Sequence, residues 1–282
     1  STMNQNEFMA HDTTLTLTEY PDIEICKIIW EHPEIWESDR PRLKLYCDEA
    51  IQNGFVKVNY ETKYSGGRLY PKDKKGFTAA SMWGRVRANL FHKTDLDIDI
   101  VNCHPSILFG IMNELFPGVP CEALGQLVQN RQEVFDLFPS LDKDKIKPLF
   151  NIILFGGSVD TWKKQFEIPD DYDLPEFVDE FLDDVKLCMR LVLKAPFYKE
   201  LITKKTNTKP TSKKKKKKSL EGAKLSAVLQ DIERQLILDA IGKLKQDNGV
   251  IVTTYNYDGF QVQADTWKDE YLIEINDSHY EY

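Results

Sequence analysis

The sequence contains no C-x-x-C pair. Its five cysteines, Cys26, Cys47, Cys103, Cys121 and Cys188, stand singly, which signals neither a disulfide frame nor a zinc site and leaves reduced, mostly buried thiols as the expectation. No apolar run approaches the roughly 18 residues that cross a bilayer, so no membrane partner is expected. Internal repeats are absent, and His11, His32, His92 and His279 have no ligand spacing. Net positive charge is missing too: the formal charge is −8, which argues against a uniformly basic nucleic-acid coat. Ser1-Thr2 ahead of Met3 reads as a cloning remnant before a native start, and with no bilayer-spanning run the expected location is intracellular, in a host compartment left open.

What is present is a chain of 282 residues, 41% hydrophobic and 11% aromatic, long enough to fill the core of one large domain or two small ones. Its charge is uneven. Between Lys204 and Lys218 lie nine lysines and no acid, including the unbroken run Lys213 to Lys218. Thr, Ser, Pro and Lys bury too little surface to fold, so residues 201–219 read as a flexible insert able to touch phosphates.

Apolar periodicity predicts helices at 23–30, 41–52, 78–91, 107–116, 122–137, 143–154, 175–193 and 220–245, with strands at 55–60, 96–101 and 250–254. In the second strand Leu96, Ile98 and Ile100 alternate with Asp95, Asp97 and Asp99, giving one apolar and one acidic face. Asp258-Gly259 between strand-forming residues reads as a tight hairpin turn with Asp258 at an exposed tip. The fold class is α+β, with strands separated by long helical insertions.

Metal-assisted phosphoryl transfer needs oxygen ligands on rigid elements, because hard magnesium ions prefer carboxylates. Asp99 and Asp258, each on or beside a strand, are the candidates, although a lone strand aspartate is by default solvated and Asp-Gly by default a turn. Asp97 shares the acidic face as a substitute for Asp99. A second pattern is less ordinary: Lys143, Lys147, Asn151 and Phe155 recur every four residues and wind slowly along one helix face, ending at Gly156-Gly157. Two ammonium groups about 6 Å apart suit a triphosphate, and a ring beside them suits a base or sugar. Pro148 must kink that helix or lie in its first turn.

Taken together and in order, these blocks resemble the signature motifs of the family A DNA polymerases and the related single-subunit phage-type RNA polymerases. Asp99-Ile100-Val101-Asn102-Cys103-His104-Pro105 looks like the first metal motif, Lys143, Lys147, Phe155 and Gly156 match the nucleotide-binding helix, and Tyr257-Asp258 stands where the family carries His-Asp. Gly67-Arg68-Leu69 and Arg85-Val86-Arg87 resemble two upstream segments. The small size and the Asp-Ile-x-Asn-x-His-Pro wording are similar to compact transposon and virus polymerases, which in longer proteins are often fused to a helicase. Residues 1–60 and the lysine insert match nothing in that pattern.

The resemblance implies a right-hand polymerase architecture with a reduced, thumb-like N-terminal region, an antiparallel palm at 61–115 and 220–282, and helical fingers at 116–200, while 1–60 is an N-terminal α/β region of unknown role. It implies two Mg2+ ions, with Mn2+ as substitute, on Asp99, Asp258 and Ile100. It places Lys147 in catalysis with the two aspartates, and Lys143, Lys147, Asn151, Phe155, Gly156 and His104 around the incoming nucleoside triphosphate. Arg68, Arg85, Arg87, Tyr257 and Gln230 would hold template and primer, with a helicase domain or subunit as a further partner. Gln230 and Glu233 on the long helix could line the primer-template groove but are ordinary surface residues by default. Bulk at His104 and the absent hydroxyl at Phe155 favour deoxynucleotides. The implied activity is DNA polymerase or primase; the rivals are a two-metal nuclease and a non-catalytic single-strand-binding module of a helicase complex.

Overall fold

Threonine and leucine alternate through Thr14–Glu19 (β1), a pattern that suits a strand with one buried face. β1 pairs antiparallel with Val56–Thr62 (β2), which pairs antiparallel with Leu69–Pro71 (β3) to complete a three-stranded sheet. Between β1 and β2 run Ile23–Ile28 (α1), capped by Asp22, and Arg40–Asn53 (α2). Leu43, Tyr46, Cys47 and Ala50 form the buried stripe of α2. Gly84–Leu90 (α3) and Asp95–Asp99 (β4) follow. A second antiparallel sheet has the order β4-β6-β5, its other strands being Val252–Tyr255 (β5) and Gly259–Gln263 (β6) near the chain end.

One carboxylate joins the two sheets. Glu19, fully buried at the end of β1, accepts hydrogen bonds from Tyr46 Oη (2.6 Å), the Ala79 N–H (3.0 Å) and Thr254 Oγ1 of β5 (2.8 Å). Burial, with a smaller push from Asp95, raises its pKa to about 7 against these three bonds.

The computed structural model describes residues 12–32, 40–72, 77–92, 95–206, 220–276 and 280–282. The rest of the lysine-rich segment, 207–219, lies outside those residues, as do His11 and His279. Contacts divide the chain into two units: Asn6–Val101 with Glu233–Tyr282, which holds both sheets, and Asn102–Ile232, which is helical. The helical unit contains Cys103–Leu115 (α4), Glu122–Gln129 (α5), Arg131–Asp136 (α6), Lys143–Leu154 (α7), Val159–Gln165 (α8), Phe177–Lys194 (α9) and Lys199–Thr206 (α10). Leu220–Asp247 (α11) starts there and ends in the sheet-bearing unit. Phe150 is the centre of the helical core, meeting Phe138, Phe177 and Phe181 edge-on. Burying each such ring contributes roughly 1.5–3 kcal/mol. Trp162 of α8 is fully buried and donates its indole N–H to the Lys145 carbonyl at 2.7 Å.

All five cysteines are free and buried. No helix among the described residues is long and apolar enough to cross a membrane. Several elements depart from the periodic reading. β1, β3 and α8 carry weak or short signals that the helix and strand patterns do not capture, and α10 corrects the reading of 201–206 as part of a flexible insert, since Leu201 and Ile202 are buried in it. The expected helix at 78–91 breaks at Met82 and Trp83, whose ψ angles of 146° and 145° are extended, leaving a 3-10 turn at Ala79–Ser81 ahead of α3. The expected helix at 122–137 is interrupted at Asn130.

Candidate functional site

β4 and β6 run antiparallel, with Asp97 opposite Gln261 and Asp99 opposite Gly259. The loop between β5 and β6 is closed by reciprocal bonds: the Asn256 N–H donates to the Gly259 carbonyl at 2.9 Å, and the Gly259 N–H to the Asn256 carbonyl at 3.2 Å. Its two tip residues are therefore Tyr257 and Asp258, one place earlier than the Asp-Gly turn expected. Tyr257 takes the left-handed conformation (φ 58°), an uncommon and costly one for a bulky side chain. The Asp258 carbonyl accepts from the Ile100 N–H at 2.8 Å, which ties the tip to the end of β4. Asp258 is consequently half-buried rather than exposed. Two aspartates distant in sequence stand at neighbouring main-chain positions.

The Asp99 carboxyl is held above the ordinary carboxylate range, first by partial burial and then by the Asp97 charge, with Arg87 of α3 acting in the opposite direction. Gln261 Nε2 donates to Asp97 Oδ1 at 2.9 Å and fixes that neighbour. Carboxylates are the oxygen donors that a hard divalent cation prefers. Ile100 has a buried side chain, so only its carbonyl oxygen is available as a ligand. Arg85 is exposed on α3, while Arg87 is half-buried.

Beside this edge lies a cluster of rings and cations within the same unit. The Arg68 guanidinium sits 4.5 Å from the centre of the Tyr257 ring, and Tyr257 meets Tyr70 edge-on at 5.9 Å and Tyr255 at 6.1 Å. Arg68 Nε donates to Glu233 Oε1 at 2.8 Å. Glu233 is fully buried, which corrects its reading as a surface residue. Burial alone would lower the Arg68 pKa; the Glu233 carboxylate outweighs it, and Arg68 stays charged. The next residue of α11, Arg234, donates to the Gly67 carbonyl at 2.8 Å. Gly67 has φ 74°, and a Cβ there would lie 2.5 Å from Tyr64 Oη. Two consecutive charged residues of one helix thus hold the Gly67-Arg68 turn.

The lysine helix is built in the helical unit. Asp142 caps α7 by accepting from the Asp144 and Lys145 N–H groups, and Pro148 lies within the helix. Lys143, Lys147 and Asn151 are exposed, while Ile146, Leu149, Phe150 and Ile153 are buried, so these three positions of the every-fourth-residue strip face outward. Phe155 caps the C-terminus, half-buried, and meets the buried His104 ring edge-on at 5.1 Å. Gly156 follows with φ 79°. Gly222 of α11 packs against the Phe155 carbonyl and Gly156 Cα so closely that no Cβ fits. Gln230, half-buried, donates to Ser226 Oγ at 3.0 Å.

No protein-family model matches the chain, and no curated protein matches it. The geometry therefore stands by itself: Asp99 with Asp258 and Ile100, Arg68 with Tyr257, and Phe155 with His104 are each brought together within one unit. Glu233, Tyr70 and Gly259 were not singled out from the sequence in these roles. Gly259 had a signal, since glycine after the aspartate was read as a turn residue when its use is close approach.

Proposed function

We propose that this chain performs template-directed nucleotidyl transfer, as a DNA polymerase or primase of viral or mobile-element type. The observation that supports this reading best is the junction of β4 and β6, where Asp99 and Asp258 come to neighbouring main-chain positions and Asp97 shares the β4 face of Asp99. Asp99 and Asp258, with the Ile100 carbonyl, would hold two magnesium ions or manganese in their place. When bound, these ions supply charge neutralisation between the attacking hydroxyl and the phosphate. Lys147 and Lys143, exposed on α7, would balance the triphosphate charge. Asn151, Phe155, Gly156 and His104 would frame the nucleoside. Arg68, stacked on Tyr257, would hold the primer end, with Arg85, Arg87 and Gln230 along the template.

The test is magnesium-dependent incorporation of a labelled nucleotide on a defined template, with and without primer and with both sugar types. Extension supports the proposal. Strand cleavage in place of extension favours a two-metal nuclease, and binding with neither favours a strand-holding module.

A further inference from the structure

We propose that Tyr70, together with Lys63, forms a stacking platform for an unpaired base of a single nucleic-acid strand. Tyr70 lies on β3 opposite Glu61 of β2, with its ring half-buried. Lys63 follows β2 on the surface, and its Nζ sits 3.9 Å from the centre of the Tyr70 ring. With Tyr70 against Tyr257 at 5.9 Å and Arg68 over Tyr257 at 4.5 Å, four side chains follow one another as cation, ring, ring, cation.

The two ends of this row differ. At the inner end Arg68 is bonded to the buried Glu233, and Tyr257 packs on the buried Tyr255. At the outer end an exposed lysine covers a ring face, a contact that is weak in water. A base is a better occupant of that face, because every base has a flat surface and stacking on an aromatic ring tolerates any sequence. The ammonium then moves from the ring to the phosphate of the same nucleotide, so one binding event satisfies both groups. The ligand must be unpaired, since a base within a duplex has its faces covered by its neighbours. This inference rests on the nucleotidyl-transfer reading only for what the strand does there; binding itself needs neither metal nor triphosphate.

Anisotropy of a short labelled homopyrimidine strand, without divalent metal or triphosphate, tests it across a salt series. Tyr70→Phe should bind within about twofold of wild type and Tyr70→Leu about tenfold more weakly, as loss of one ring–base stack requires. Lys63→Gln should reduce the slope of log affinity against log salt by about 0.7. Melting curves confirm that each variant is folded, and Tyr70→Trp, which should tighten binding, covers the case in which Tyr70→Leu unfolds. Unchanged affinity in Tyr70→Leu, equal loss in Tyr70→Phe and Tyr70→Leu, or an unchanged salt slope in Lys63→Gln would overturn the platform. The expected pattern in a chain that fails to extend primers would retain the platform and reject the polymerase reading. Extension with unchanged Tyr70→Leu binding would do the reverse.

Discussion

Asp99 occupies the space where a side chain on Gly259 would stand: a Cβ at that glycine would overlap Asp99 Oδ1 and come within 2.9 Å of Asp99 Cγ and 2.5 Å of the Ile98 carbonyl. The pairing of β4 with β6 and the position of the carboxylate therefore depend on the same missing methyl group. Gly259→Ala should lower stability by about 1–3 kcal/mol, as overpacking does, and should weaken magnesium-dependent incorporation by more than that loss explains. Denaturant melts and incorporation rates at a temperature where the variant is folded separate the two effects; normal turnover would show that Asp99 need not sit there.

The Arg68–Glu233 pair gives a second prediction. Removing the guanidinium leaves a fully buried carboxylate without it, a change that costs about 3–5 kcal/mol in buried ion pairs. Arg68→Ala should therefore be strongly destabilised, and adding Glu233→Gln should recover most of the loss. Chemical denaturation of the single and double variants measures this directly, and additive losses would show that the two residues act independently.

Glu19 makes stability depend on pH. Its carboxyl titrates near 7 in the folded chain against an ordinary 4.5. Between these values the folded state binds more protons than the unfolded one, so stability should fall as pH rises from about 4.5 to 7 and then level off. The whole window corresponds to roughly 3 kcal/mol at about 1.36 kcal/mol per pH unit. Glu19→Gln keeps an acceptor for Tyr46 and Ala79 and offers Thr254 a donor, so it should flatten this window. Stability curves for both proteins from pH 4 to 8 check the sign; a rise in wild-type stability towards pH 7 would contradict it.

Sugar choice should depend on the contact between His104 and Phe155. If the imidazole bulk excludes a 2′ hydroxyl, His104→Ala should raise ribonucleotide use by about ten- to a hundredfold, equivalent to roughly 1–3 kcal/mol of relieved conflict. Incorporation efficiencies for matched ribo- and deoxynucleotides decide this. A fall in ribonucleotide use would mean that the ring donates to the sugar and would point to a primer-making RNA polymerase.

Local chemistry explains which parts were legible. The exposed part of the strip, Lys143, Lys147 and Asn151, could be read because one helix, capped by its own Asp142, carries all three. β4 could be read from the alternation of acidic and apolar residues, and β5 and β6 from their β-branched and aromatic content. The tip between those strands was misplaced by one residue because Asp-Gly is a stronger turn signal than Tyr-Asp, yet the Asn256–Gly259 bonds put Tyr257 at positive φ. Glu233 was read as exposed because its partner Arg68 is 165 positions away, beyond any helical periodicity. Glu19 was likewise hidden: its donors come from α2, a 3-10 turn and β5, and only the assembled sheets show why an acid is buried there.

Asp99 and Asp258 are proposed to form the catalytic centre together. Primer extension with magnesium by the wild type, Asp99→Asn and Asp258→Asn tests it most directly, provided melting curves show each variant folded. Extension by the wild type and a loss of several orders of magnitude in both variants is the predicted result, since losing a metal-ligand charge at such a centre would withdraw transition-state stabilisation. Turnover at the wild-type rate in either variant would contradict it.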